Sequence, residues 1–378
     1  MKIGQKKWTR EDGWKNVGGN DAEGAQIVLL FGDRDLLEEQ ERLEEIKKQF
    51  PSANIALIST AGNIQDINIE DNAIVATSVK FEKTPIEIRR TNLADHGDSF
   101  DAGKELGRRL PAKDLKHVLI FSDGHLVNGS KLVKGILSIL PENVYVTGGM
   151  AGDGTRFEKT AVGLDASPKP GEIIAIGLYG SNILVGFGST GGWDPFGIER
   201  KITRAENNRL YELDGKGALE LYKTYLGDLS KDLPGSALLF PLAIKTDKNS
   251  PPLVRTILSI DEKDQAMVFA GDIPVNGYAQ LMKANFDRLI DGASKAAKHG
   301  SDMINTKTEL AILISCVGRR IVLDQKTEDE LESVKEILGE NAVLAGFYSY
   351  GEIAPTSKNS KSELHNQTMT ITTLSEKV

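Results

Sequence analysis

The sequence predicts a mixed α/β (α+β) protein in two domains, with mixed sheets built from repeated strand-helix-strand units plus antiparallel hairpins. Three observations predict it. Apolar runs ending in glycine, QIVLLFGD (26–33), HVLIFSDG (117–124) and ELAILISCVG (309–318), have the character of strands buried on both faces. Each leads into a helical segment and a second strand-like run with a glycine turn, so matching glycines recur at Gly32 and Gly62, Gly124 and Gly152, Gly318 and Gly351, 30, 28 and 33 residues apart. Between these units, strand-like runs come in consecutive pairs joined by short polar links, which reads as antiparallel hairpins.

In order, residues 1–24 carry glycines among polar side chains without apolar periodicity and read as a loosely held arm. The first unit has a helix over 36–50, with Leu37, Leu43, Ile46 and Phe50 at near-helical spacing, stopped by Pro51 before NIALIST (54–60). The second has its helix over 130–140, stopped by Pro141, before NVYVTGGMAGDG (143–154); the third has one over 328–338, ended by Gly339, before NAVLAGFYSYGE (341–352). The paired runs are AIVATSV (73–79) and IEIRR (86–90), TAVGL (160–164) and IIAIGLYG (173–180), ILVGFG (183–188), then LVRTILSI (253–260) and AMVFAG (266–271). Gly180, Ser181 and Asn182 suit a hairpin bend. The run STGGWDPFG (189–197) and the polar stretch after it mark the expected junction, giving an arm over 1–24 and domains over 25–210 and 211–378. Beyond lie a short helix, GALELYKTYL (217–226), and a long one whose Met282, Phe286, Leu289, Ala293 and Ala297 form a core-facing stripe, closed by His299-Gly300.

With 378 residues, 40% hydrophobic and 26% charged, a substantial core is available. The net charge of -8 argues against a broad phosphate-binding face, hence against nucleic acid as a partner. No run approaches the roughly 20 apolar residues of a membrane helix, and the basic start (Lys2, Lys6, Lys7, Arg10) leads into no apolar segment. One cysteine makes no internal disulfide and fits a reducing compartment; a cytoplasmic protein is expected.

The richest candidate loop is GFYSYGEIAPTSKNSKSELHN (346–366), set between two strand-like runs. If its entry is extended, Tyr348, Tyr350 and Glu352 share one face, two phenols and a carboxylate suited to a polar small molecule. GGMAGDG (148–154), with Gly149 and Asp153, is a glycine turn at a strand end but not a nucleotide fingerprint, since no G-x-x-x-x-G-K-[ST] occurs. Arg319 and Arg320 offer a fork for an anion. Cys316 as nucleophile or Glu352 as general acid-base would make an enzyme, but neither has a His-Asp pair or metal constellation in its motif, and a buried inert thiol is the expectation. The five histidines show no zinc spacing; His125 and His365, the latter beside Asn366, fall in the loops where the repeats would put function. These groups are expected to converge on one cleft, the arginines taking a ligand carboxylate and Glu352 its ammonium.

Together, SCVGRR (315–320), GFYSYGEIAP (346–355) and HNQTMTITTL (365–374), with STAGNI (59–64), GGMAGDG and GWDPFG (192–197) upstream, resemble the FIST (F-box and intracellular signal transduction) sensory domains from about residue 26 onward. The resemblance implies a stand-alone FIST N-terminal plus C-terminal sensor of a small polar ligand, amino acids being the class suggested for the family. It also implies a separate signalling partner such as a histidine kinase or cyclase. Some proteins resembling this one are understood to bind haem and sense nitric oxide, for which His125 or His365 would be the candidate axial ligand.

Overall fold

The structure is a computed structural model and describes residues 1–19 and 22–377. The three apolar runs are the first strands of three parallel strand pairs. Ile27–Gly32 pairs with Asn54–Ser59, Leu115–Ser122 with Tyr145–Met150, and Leu310–Cys316 with Val343–Ser349. A helix links each pair: Gln40–Gln49, Gly129–Leu137 and Thr327–Leu338. The helix expected over 36–50 is a turn, Arg34–Leu37, followed by that first helix. Each first strand also carries an antiparallel neighbour, namely Ala73–Lys80, Glu172–Tyr179 and Met369–Glu376 respectively.

The free edge of each second strand is covered by a strand from another unit. Asn63–Gln65, just after the first unit, pairs with Val343–Ser349 of the third. Gly351–Pro355, after the third, pairs with Tyr145–Met150 of the second, and Val162–Leu164, after the second, pairs with Asn54–Ser59 of the first. The opposite edges follow the same habit: Ile86–Asn92, Ile183–Thr190 and Lys2–Thr9 pair with Glu172–Tyr179, Met369–Glu376 and Ala73–Lys80. This corrects two expectations. The runs 73–79 and 86–90, 160–164 and 173–180, and 173–180 and 183–188 are not hairpins, because each crosses from one sheet to another; 253–260 and 266–271 do pair, through Ile257–Asp261 and Ala266–Phe269. Nor are residues 2–19 a loose arm. Lys2–Thr9 and Gly13–Gly19 form a hairpin on the first sheet, and Trp8 lies under the Arg42 guanidinium, 4.4 Å from ring centroid to Cζ. Hydrogen bonding to an exposed sheet edge holds this segment despite its polar composition.

The three sheets meet in one core. Phe31, Phe121 and Phe347 contact one another there, with ring centroids 5.0 to 6.2 Å apart. Phe31 stands opposite Ile58, Phe121 opposite Gly149, and Phe347 opposite Ile314 in their parallel pairs, so each unit brings one aromatic to an equivalent rung. Gly149 is required there: a Cβ on it would lie 2.6 Å from Ile314 Cγ2. Helices cover the outer faces. Ser99–Arg109 packs closely on Gly129–Leu137 through Gly103 and Gly135, and Phe286–Ile304 packs on Thr327–Leu338. The long helix begins at Phe286, so Met282 belongs to the preceding strand and Phe286 is exposed; it runs past His299-Gly300 to Ile304, capped by left-handed Asn305. Leu289, Ala293 and Ala297 keep the expected inward stripe.

Where the junction was expected, the chain leaves this body and builds a separate mixed layer from Asp194–Glu206 to Tyr278–Lys283, with its own core around Leu219, Tyr222, Met267 and Phe269. The expected boundary at 210/211 falls inside its strand Arg209–Leu213. Among the described residues, no helix is long and apolar enough to cross a membrane.

The central packing gives a direct test. Gly149→Ala should destabilise by about 1–3 kcal/mol through overpacking, and Ile314→Ala by about 2–5 kcal/mol through a cavity. The double variant should lose less than the sum, because the truncated Ile314 makes room for the new methyl. Urea unfolding of the four proteins measures the coupling, and strictly additive losses would refute this account of the contact.

Candidate functional site

A cleft of about 530 Å³ lies between the strand ends of the body and the inner face of the inserted layer. The body contributes the loop after Leu115–Ser122 with His125 and Asn128, Met150 at the end of its strand, Cys316 and Gly318 at the end of theirs, and Tyr350. The inserted layer contributes Leu238, Thr256, Ile257 and Phe269. Strand ends in open α/β sheets leave backbone groups without a continuing ladder, which is why ligands collect there. A more open groove around Arg90, Arg109 and Lys169 lies on the outer face of the second unit and shares no residue with the cleft.

Cys316 forms part of the cleft floor and precedes the short helix Val317–Leu323. Burial pushes its thiol up to about 12, with nearby Glu352 adding to the rise and the backbone N–H groups of Gln367, Gly318 and Arg319 opposing it. At neutral pH it is therefore a thiol. Behind the floor lies Glu352, fully buried; its carboxyl accepts from Ser349 Oγ at 2.7 Å and from Thr368 N and Oγ1 at 3.2 and 3.1 Å. Desolvation lifts it to about 8, so the acid is mostly protonated at neutral pH, and in that form its O–H can donate the hydrogen bond to Ser349 Oγ. Asn63 holds the corresponding place in the strand lent by the first unit, accepting from Thr60 Oγ1 three residues back as Glu352 accepts from Ser349. Both therefore pin the crossing between units.

Asn366 and Gln367 lie beside this cluster, and all four of their side-chain amide atoms are buried without a partner. Gln367 has a left-handed backbone (φ 61°), and its amide packs against Gly318, where a Cβ would come within 2.5 Å of Nε2. Unpaired buried amides are uncommon, and adjacent ones point to water or a ligand completing them.

Residues 26–216 match the FIST N domain and residues 218–355 the FIST C domain. The chain belongs to the FIST family. It is 22% identical over 366 residues to an uncharacterized protein of Methanocaldococcus jannaschii, across 83% of this chain and 67% of that one. Among solved structures it is similar to a cyanuric acid hydrolase from A. caulinodans, with a TM-score of 0.34 and 6% identity over 94% of this chain and 91% of that one, a likeness too weak to bear on activity.

The residues singled out in this FIST chain do not form one face. Its strand ends at Ser349 and a new one starts in another sheet at Gly351, so the alternation from Tyr348 to Glu352 is broken at Tyr350. Tyr348 points inward and donates to Glu330 Oε1 at 3.1 Å, whereas Tyr350 reaches the cleft, stacks on Phe157 at 4.8 Å and donates to Gly154 O. Arg319 is fully buried and paired with Glu330, donating also to Gly191 O and Leu289 O; Arg320 is held by Asp71 and Ala61 O. The expected anion fork is thus engaged by the protein itself, one arginine inward and one outward. Asp153 is buried between Arg34 and Arg156, and Gly149 lies in the central core opposite Glu352. His365 is buried, its Nε2 on Ala354 O at 2.8 Å, and burial lowers it to about 4. His125, the other histidine considered, is exposed at the cleft rim. The wall from the inserted layer was not anticipated, although a lone arginine in the apolar run LVRTILSI was a visible signal.

Two outcomes follow from these environments. Native Cys316 should resist alkylation near neutral pH and react fast only after unfolding; rapid stoichiometric labelling of the folded protein would contradict its environment. Because Glu352 is raised from 4.5 to about 8, the folded state holds a proton that the unfolded state has released, so its contribution is fully present below about pH 4.5 and is lost as pH rises through about 8. Glu352→Gln, with its amide N–H on Ser349 and its oxygen on Thr368, should flatten that fall, so its melting temperature relative to wild type rises between pH 5 and 9. A constant difference across that range would sink the assignment.

Proposed function

We propose that this FIST protein is a small-ligand sensor whose ligand sits in the cleft and bridges the three-unit body and the inserted layer. The observation that carries it is the cleft's position between two parts with separate cores, walled by apolar side chains with a few polar groups, the composition of small-molecule sites. A ligand touching both walls favours one placement of the inserted layer over others by its differential affinity. That placement is what a separate partner, such as a histidine kinase or cyclase, would read. The acidic charge and single cysteine are in keeping with a cytoplasmic setting. Catalysis is not part of the proposal, since Cys316 is held as a thiol and Glu352 is engaged with Ser349 and Thr368.

The amino-acid-like class expected from the sequence belongs in the first screen, beside small carboxylates and neutral amides. A binder at about one hundred times its Kd should stabilise the folded protein by about 2.7 kcal/mol, readily seen as a rise in melting temperature. Gly235 lines the cleft and an added Cβ there would meet nothing within 4 Å, so Gly235→Trp should fold normally and obstruct the site. The expected result is a ligand-induced rise in wild type that is absent in Gly235→Trp. An equal rise in both proteins, or none with any class, would overturn the cleft as the sensing site.

A further inference from the structure

We propose that the cleft takes a small carboxylate with an apolar body and no ammonium group, its carboxylate held by Arg255 and Thr256. This rests on the cleft being the ligand site and goes further by naming the ligand's charge and its anchor.

Arg255 ends the strand Leu253–Arg255 and is only 6% exposed. Four arginines are buried among the described residues. Arg34 pairs with Asp153, Arg42 with Glu45 and Arg319 with Glu330, whereas Arg255 has no carboxylate of the described residues within ion-pair distance. Among the described residues its side chain makes one hydrogen bond, from Nη1 to Leu364 O at 2.8 Å. A buried charge without a counter-ion is costly, and a guanidinium presents a fork that matches a carboxylate. The acids in its surroundings are otherwise placed. Asp272 faces Lys134 and Asn128, Glu352 accepts from Ser349 and Thr368, and Glu363 is exposed. Desolvation correspondingly lowers the Arg255 pKa, with Glu363, Asp272 and Glu352 only partly opposing it.

The guanidinium lies directly behind the cleft wall. A Cβ on wall residue Gly271 would sit 2.8 Å from Arg255 Nε and 3.0 Å from Cζ, so the missing side chain there is what lets the guanidinium pack directly against the back of the wall. Gly271 has φ 143°, a conformation other residues rarely adopt. Next in sequence, Thr256 lines the cleft with a buried Oγ1 that has no hydrogen-bond partner. A carboxylate between them would satisfy both groups.

The absence of an ammonium partner follows from the rest of the wall. Among the described residues no Asp or Glu lines the cleft, so an amino acid bound there would bury its ammonium without a counter-charge from them. Met150, Phe157, Leu238, Ile257, Leu258 and Phe269 supply apolar surface for the remainder of the ligand.

The test uses three matched probes with the full-length protein: 3-phenylpropanoate, its neutral amide, and phenylalanine, each titrated by calorimetry. The carboxylate should bind at least about tenfold tighter than either of the others. Arg255→Gln should erase that preference while leaving amide binding in place. Thr256→Val removes a hydroxyl that pairs with nothing in the protein, so it should fold as wild type and weaken the carboxylate alone; it carries the test if Arg255→Gln does not fold. Equal affinity for carboxylate and amide, stronger binding of phenylalanine, or an undiminished carboxylate preference in Thr256→Val would each overturn the anchor while leaving the cleft intact. Carboxylate binding unchanged in Gly235→Trp, or binding of none of the probes, would instead overturn the cleft reading on which the anchor rests.

Discussion

The contact of Phe31, Phe121 and Phe347 is the constraint from which the rest of the body follows. Three twisted parallel strand pairs meet here at one point, each presenting one aromatic at an equivalent rung. The chain achieves this with Phe opposite Ile, Phe opposite Gly, and Ile opposite Phe. The second unit thus has less bulk at this rung than the other two, and Ile314 of the third unit occupies the space against Gly149, so the core stays close-packed. Once the pairs meet this way, each second strand has an open edge facing a neighbour, and the shortest segment available to close it is the one leaving an adjacent unit. The lent strands are thus a packing solution as well as a topological one.

Closing edges between units creates buried crossings, and each crossing needs its polar groups satisfied. The first unit uses Thr60 and Asn63; the third uses Ser349 and Glu352. An amide in one place and a protonated acid in the other perform the same hydrogen bonding, which accounts for a carboxyl in so dry a position. The third crossing also borders the cleft, where Tyr350 turns outward and the Asn366 and Gln367 amides stay unpaired. Similar geometry therefore serves structure in the first unit and lies beside the proposed ligand site in the third.

Much of this architecture was legible in the sequence, for a physical reason. Strands buried on both faces become apolar runs, so 27–31, 117–121 and 311–315 announced themselves, and glycine spacing exposed the repeat. Strand partners were not legible. Neighbours in sequence usually pair, and Gly180-Ser181-Asn182 has the composition of a hairpin bend although here it carries the chain between sheets. At the site, the loop at 346–366 was placed at strand ends and Tyr350 does reach the cleft, but Tyr348 and Arg319 turn inward because Glu330, on a helix of the same unit, partners both. Arg255 stood out in its run only as an oddity, since its meaning depends on Gly271 and Leu364, which folding brings to it.

The outer strands carry a further consequence. Ile86–Asn92 follows the first unit and edges the second; Ile183–Thr190 follows the second and edges the third. Continuing that rule, the segment that edges the first unit should follow the third, yet the place is filled by Lys2–Thr9. Lys2 pairs with Lys80, while Glu376, at the end of the third unit's last strand, accepts from the backbone of Glu82 and Lys83, so the two ends of the body lie side by side. Topologically the body is a closed circle of segments cut at one link. A circular permutant opened at the Ser181–Asn182 bend and joined between residues 377 and 2 would contain every pairing described above, with no strand displaced.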